Sequence, residues 1–496
     1  MEFDTFIKIP GGLVSILGVL TFNRILDLRC TSSTVKLYID EWLMYTKLPC
    51  WNFYGRSPSK FVHLCNKFNV PSSRWHVQIK YSISLKQLRK FCNLSSVSLI
   101  QVPITKALID IIKTCKHIIN ISLDGFYIGE DRLVNKLSKV PTIQTLSLTK
   151  CSLINCDFSS YKSLTKLCIS NNHTITVTQW PENITDLDIS NCNLHELHTL
   201  PKSLRSLDIS GNKLVKLTEL VGLSLIVFKM SRVWVWGCSE LLRAILKPMS
   251  NLKELDLSYT WTGPGPILDA ISPSIEILDI SNTEYLNSAE GAEGLSQLIN
   301  LKKLDLCNSS ITWGVHLLAL RKMTRLSILS LRCLFTGNST GNSLQLALMN
   351  KNKLEMIDLS ACGFTLSYVL DSLCHCKKSL VNLNLSDNCF SDANDSKTLI
   401  NVLSELKLLK TFTCKESLLN YTTIEKILDN INVLVEKVNL TNNNLLDFLK
   451  DGNDIIPILE QLLIKFQRFP NLKIGLVSDA QHTPKLYAHL SRILRR

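Results

Sequence analysis

The chain has 496 residues, more than a single compact core usually holds, so it either divides into domains or grows by repetition. Hydrophobic residues make up 45% but aromatics only 7%, which excludes an aromatic-rich interior and favours stacked layers of aliphatic side chains. The net charge of +13 is uneven: residues 1–90 carry 13 Lys/Arg against 5 Asp/Glu and residues 451–496 carry 7 against 4, so the long middle is nearly neutral.

The 17 cysteines are scattered and no two are three apart, so there is no Cys-x-x-Cys metal or redox pair. The nearest two, Cys374 and Cys376 around His375, lack a second pair to complete a tetrahedral site. They read as buried free thiols, with no metal and no cofactor expected. Free thiols in this number favour a reducing compartment, cytoplasmic or nuclear. Met1–Lys8 has two acids and one base, unlike a secretory signal, and the apolar stretch Gly11–Phe22 is too short to span a bilayer.

In chain order, residues 1–50 read as short amphipathic helices: Ile9-Pro10-x-x-Leu13-x-x-Ile16-Leu17-x-x-Leu20, then Ile25-Leu26-Asp27-Leu28-Arg29-Cys30, with Trp42 beyond. This segment resembles an F-box. In that family the motif docks on the adaptor of an SCF-type ubiquitin ligase, and the repeats that follow hold the substrate. The resemblance implies that Pro10, Leu13, Ile16, Leu17, Leu20, Ile25 and Leu28 touch the adaptor. Two departures stand out: Gly11 and Gly12 weaken the helix start, and Ser33-Thr34-Val35 stands where the family has a Trp. A helical cap over the first repeat accounts for the same residues, and an F-box can serve as that cap. Residues 51–90 read as linker or N-terminal cap.

From residue 91 to about 450 the sequence repeats. Leu204-x-x-Leu207-x-Ile209-x-x-Asn212-x-Leu214 states the pattern, and Ile184-x-x-Leu187-x-Ile189-x-x-Cys192-x-Leu194 restates it twenty residues earlier. Copies begin at Leu94, Ile118, Ile143, Leu164, Ile184, Leu204, Leu225, Leu252, Ile275, Leu301, Leu326, Leu354, Leu380, Leu409 and Val435, spaced 20 to 29 residues apart, with a terminal one near Leu472. The pattern resembles the leucine-rich repeat. The fold class expected is α/β: a horseshoe solenoid of about 15 repeats with a parallel concave sheet. In each copy the last two leucines alternate onto one face of a short strand. The Asn or Cys that follows suits a side chain turned inward to bond backbone groups at the bend.

Repeat length indicates the convex side. The 20–21-residue repeats leave room only for extended or 3₁₀ segments, which Trp180-Pro181 and Leu200-Pro201 fit. The longer repeats after 225 have room for helices, such as Ser239–Leu246 and Ser367–Cys374, so curvature should change near residues 225–250.

The residue between the second and third leucines is expected to face a partner. From 188 to 358 this column holds Asp188, Asp208, Lys229, Asp256, Asp279, Asp305, Ser330 and Asp358, with serines recurring two residues on. An acidic stripe would suit a basic protein partner and argues against nucleic acid on this face. Leu-Asp-Leu-Ser is equally a common wording of this repeat whatever it binds. The copy at Leu225 departs most, with Lys229, Arg232, Trp234 and Trp236 breaking the stripe. Trp and Arg are favoured binding anchors, but bulky residues also fill a packing mismatch where repeat length changes.

Residues 451–496 read as a C-terminal cap with a basic tail ending Arg492-Ile493-Leu494-Arg495-Arg496. No Gly-x-Ser-x-Gly, P-loop or His-Glu-x-x-His occurs, and His195-Glu196-Leu197-His198 has the wrong spacing. The expectation is a protein-binding scaffold without membrane spans or catalytic centre. It is either the substrate-recognition subunit of an SCF-type ligase or an interaction scaffold whose N-terminus only caps.

Overall fold

The structure, a computed structural model, describes residues 51–54, 75–80, 95–443 apart from short stretches (chiefly 102–105, 126–132, 235–238, 262–266, 285–288, 310–313, 334–340 and 363–369), 461, 464–465 and 473–475. The F-box-like residues Pro10, Leu13, Ile16, Leu17, Leu20, Ile25 and Leu28 lie outside the described residues, as do the helical cap and Trp236.

The chain divides into two compact units, residues 1–219 and 220–496. The first unit contains β1 (Trp51–Tyr54), β2 (Trp75–Lys80), β3 (Ser96–Ile100), β4 (Asn120–Asp124), β5 (Thr145–Thr149), β6 (Cys156–Asp157), β7 (Lys166–Cys168), β8 (Val177–Gln179), β9 (Asp186–Asp188) and β10 (Ser206–Asp208). All but β6 and β8 form one parallel sheet in sequence order. β6 and β8 pair with each other in a separate two-stranded sheet. The second unit continues with β11 (Val227–Lys229), β12 (Glu254–Asp256), β13 (Ile277–Asp279), β14 (Lys303–Asp305), β15 (Ile328–Ser330), β16 (Met356–Asp358), β17 (Asn382–Asn384), β18 (Thr411–Thr413), β19 (Lys437–Asn439) and β20 (Lys473–Gly475). Each of these pairs in parallel with the next.

Both units are thus built as leucine-rich-repeat solenoid. Every one of the 15 copies read from the sequence has its strand starting two residues after its first apolar position, and equivalent residues pair across each described ladder. The terminal copy near Leu472 is β20. The ladder also extends upstream of residue 90: β2 pairs with β3, placing Val77 beside Val97 and Ile79 beside Leu99, and β1 pairs with β2.

The backs follow repeat length. Between β7 and β10 the described backbone is extended or turn, and a 3₁₀ turn spans Thr218–Leu220. Trp180 is buried there and stacks on Phe158 at 6.4 Å between centroids. Elsewhere helices form: α1 (Lys106–Lys113), α2 (Leu133–Leu137), α3 (Ser239–Leu246), α4 (Ala289–Ser296), α5 (Gly314–Leu320), α6 (Gly341–Leu348), α7 (Ala393–Glu405) and α8 (Tyr421–Asn430). The expected helix Ser239–Leu246 is α3. Residues 370, 372 and 373 are helical and run into a 3₁₀ turn at Cys374–Cys376. α4 lies close against the 3₁₀ turn Leu268–Ala270, because Gly294 has no Cβ: one built there would stand 2.7 Å from the Asp269 nitrogen.

The cores are the stacked leucines themselves, with Leu204, Leu207, Ile209, Leu252, Leu255 and Leu257 fully buried. Burying an aliphatic side chain contributes about 1.5–3 kcal/mol, but only when a neighbouring repeat covers it. The bend after each strand sets the polar problem. Asn172 Oδ1 accepts from the amides of Cys151 (2.8 Å) and Leu153 (3.4 Å), while Nδ2 donates to the carbonyls of Leu148 and Ile169 (both 2.7 Å). Asn212 does the same for Cys192, Leu194, Ile189 and Ile209. Where the inward residue is Cys, its thiol lies against two carbonyls, as Cys192 Sγ does at 3.1 Å from Ile169 and 3.6 Å from Ser190. Burial keeps these thiols protonated, pushing Cys151 up to about 12 and Cys192 up to about 11.

Replacing Asn172 by Ala leaves the Cys151 and Leu153 amides and the Leu148 carbonyl without this partner, each worth about 1–3 kcal/mol, while the Ile169 carbonyl keeps the Cys192 thiol. The Asn172→Ala chain should lose at least about 3 kcal/mol of local stability, read as faster amide hydrogen exchange at Cys151 and Leu153. Unchanged exchange there would mean that the side chain does not hold the bend.

Candidate functional site

The column expected to meet a partner has a local structural task. Asp256 Oδ1 accepts from the Ser258 amide at 2.9 Å and from its hydroxyl at 2.7 Å. Asp188 and Asp358 bond Ser190 and Ser360 in the same way. Asp208, Asp279 and Asp305 each accept the amide two residues on, from Ser210, Ser281 and Cys307. This is the turn that Asp and Asn side chains favour at the end of a strand. The recurring Asp-Leu-Ser wording is thereby explained, and the carboxylates are half-buried along the strand face. Asn384 and Asn439 close the same turn without a charge, accepting from Ser386 and Thr441.

In the second unit Asp256, Asp279 and Asp305 pair directly across three adjacent strands, about 4.8 Å apart per step. Burial pushes the Asp279 carboxyl above the usual carboxylate range, and the neighbouring Asp305 and Asp256 charges add to the rise, against hydrogen bonds from Ser281 that lower it. Lys229, next in the column, is held by Glu254 at 2.7 Å.

One position beyond the recurring serine, the backbone turns left-handed in repeat after repeat, at Asn171, Asn191, Gly211, Arg232, Tyr259, Asn282, Asn308, Cys333, Ala361, Asp387 and Glu416. Asn and Gly take this conformation at least cost. A Cβ on Gly211 would stand 2.2 Å from Asn191 Oδ1, so the column is also tightly stacked. Arg232 and Tyr259 stand out in it. The Arg232 guanidinium lies 5.1 Å from the Tyr259 ring centroid, and the two project outward side by side. Two residues further on, Trp234 and Trp261 form a parallel backbone bridge. Trp234 is 68% exposed and Tyr259 47%. Trp234 therefore does not fill a packing gap.

The sequence pointed to Arg232 and Trp234 but missed Tyr259 and Trp261. The signal was present: Ser231-Arg232-Val233-Trp234 recurs at the same offset as Ser258-Tyr259-Thr260-Trp261. Reading the column after the serine, not only the column before it, finds both.

Two other groups have structural explanations. Lys351 is fully buried and its Nζ donates to the Leu320 carbonyl at 2.6 Å, where α5 ends; burial pushes it down to about 8. Cys376 is buried and pushed up to about 12. Among the described residues there is no group of three or more His, Cys, Asp or Glu side chains that could hold a metal ion. His195, Glu196 and His198 are exposed at a bend.

No family model matches the chain, and no curated protein does. Solved structures do. An internalin from Listeria monocytogenes is 13% identical with a TM-score of 0.40, over 81% of this chain and 90% of that one. A leucine-rich-repeat protein of Leptospira interrogans is 14% identical with a TM-score of 0.41, over 88% and 98%. TLR13, solved in complex with a single-stranded RNA, is 13% identical with a TM-score of 0.42, over 82% and 60%.

The Asp279→Asn substitution keeps the turn and removes a like charge from the column. It should raise stability at pH 7 by about 0.5–1 kcal/mol. A carboxyl raised in the folded state disfavours folding once ionised, so its cost grows as pH rises from the unfolded value and is complete above the folded one. The difference between the two chains should therefore vanish below about pH 3, where the carboxyl is neutral in both states. Melting curves at the two pH values check this. An Asn chain less stable at pH 7 would show that the carboxylate stabilises the strand face.

Proposed function

We propose that the chain is a non-enzymatic scaffold that binds a protein partner, with its anchor at Arg232, Trp234, Tyr259 and Trp261. The observation that carries the reading is the exposure of Trp234 and Tyr259 beside Arg232, with Arg232 and Tyr259 at turn positions where stability alone favours Asn or Gly. Trp, Tyr and Arg are the residue types on which binding energy concentrates. The adjoining column of Asp256, Asp279, Asp305 and Asp358 biases the strand face toward a basic partner surface. Among the described residues no helix is long and apolar enough to cross a membrane.

The test is affinity capture with the full chain and with its Trp234→Ala/Tyr259→Ala variant, followed by affinity measurement with the purified partner. Loss of two aromatic anchors should weaken binding by about a hundredfold. Equal affinity for both chains would move the site elsewhere.

The sequence of residues 9–30 supports a finer reading, in which the bound protein is a substrate and the N-terminus docks on the adaptor of an SCF-type ubiquitin ligase. The adaptor should then co-purify with the full chain and be lost from Leu17→Asp/Leu20→Asp. A folded chain that never retains the adaptor leaves the scaffold reading alone.

A further inference from the structure

The opposite edge of the second unit, where the strands begin, carries a second feature. The residue just before the first apolar position of each repeat stacks along this edge, because the strands are in register. In order it runs Asn300, Arg325, Lys353, Ser379, Leu408 and Leu434. Two like charges are thus placed in adjacent repeats and two leucines follow them. Lys378 extends the basic part. Leu408 is 50% exposed and Leu434 67%.

Elsewhere on this side charges are matched: Lys253 and Lys302 with Glu276, Lys377 with Glu405, Lys410 with Glu436. Arg325, Lys353 and Lys378 have no ion-pair partner among the described residues. They line one open depression of about 700 Å³ with Lys302, Glu355 and Leu408. Stacked like charges cost stability, so packing does not account for them. Three unpaired cations face one carboxylate, with an aliphatic continuation on one side only.

We propose that this edge is a docking strip for an extended acidic peptide segment whose carboxylates meet Arg325, Lys353 and Lys378 and whose aliphatic side chain rests on Leu408 and Leu434. From Arg325 to Leu434 is four strand steps, about 19 Å, which an extended peptide covers in about six residues. Nucleic acid fits less well. Among the described residues that line the depression there is no aromatic side chain on which a base could stack. The strip lies at the other end of the strands from the aromatic anchor, so it stands independently of the function proposed above.

The experiment uses the full chain and three fluorescein-labelled probes. One is a peptide of three acidic residues, a serine and two leucines; one is the same peptide with lysines for acids; one is an oligouridylate. The acidic peptide should bind and the lysine peptide should not. Affinity should fall about tenfold or more in Arg325→Glu/Lys353→Glu/Lys378→Glu and on raising salt from about 0.05 to about 0.3 M. Leu408→Ser/Leu434→Ser should also weaken it, whereas Trp234→Ala/Tyr259→Ala should leave it unchanged. The neutral variant Arg325→Gln/Lys353→Gln guards against misfolding: it should melt no lower than the parent and still bind more weakly. Absent binding of the acidic peptide, equal binding by the basic-residue variants, or tighter binding of oligouridylate at the same residues would each overturn the proposal.

Discussion

Every repeat ends its strand in a bend that carries backbone amides and carbonyls into the interior, and the fold depends on pairing them. One inward side chain per repeat does most of this work, and it reaches backward. Asn172 serves the amides of the repeat containing Cys151, Asn212 those of Cys192, Asn388 that of Cys362, and Asn443 those of Ser417 and Leu419. An Asn therefore satisfies two repeats, and the one before it can carry a smaller group. That is why Cys and Asn alternate at 151, 172, 192 and 212. A thiol suffices where the next amide supplies the missing acceptor, and its burial keeps it neutral. The aliphatic stack supplies the larger share of the free energy, but only these bonds make the bend burial-compatible.

This dependence explains what could be read from the sequence. Leu-x-x-Leu-x-Leu followed by Asn or Cys states both halves of the constraint, so the strand positions and the inward bend residues were legible through 15 copies. β2 was not, because Trp75-His76-Val77-Gln78-Ile79 shows strand alternation but lacks the first apolar residue of the pattern. The aspartates were legible as a column but not as a task. Whether a carboxylate points at a partner or at the amide two residues on is decided by backbone geometry that period-2 alternation leaves open. Tyr259 escaped for a related reason: its position follows the strand, where the alternation rule no longer says which side chains face outward.

The two like-charge columns of the second unit differ in how they are held. Each aspartate has a hydrogen-bond donor of its own in the turn, so the column persists although Asp279 is pushed toward its neutral form by burial and by its neighbours. Asn384 and Asn439 show that the turn does not need the charge. The charge is thus separable from the fold in the acidic column, and wholly so in the basic one, where no local bond is gained.

The same separation can be applied along the left-handed column. Asn171, Asn191, Gly211, Asn282 and Asn308 follow the preference of the backbone, and Cys333, Ala361 and Glu416 show that the conformation tolerates other residues. Left-handed geometry alone therefore does not mark a site. What marks Arg232 and Tyr259 is that two adjacent repeats depart together, face each other at 5.1 Å and are followed at the same offset by two tryptophans. A departure in one repeat can be absorbed by its neighbours; a correlated departure in two, left on the surface, is neither required nor concealed by the stack. In a solenoid whose interior repeats one rule, a surface feature that breaks the rule without relieving any internal strain has no explanation in the stack itself, which is why the proposed anchor is placed there.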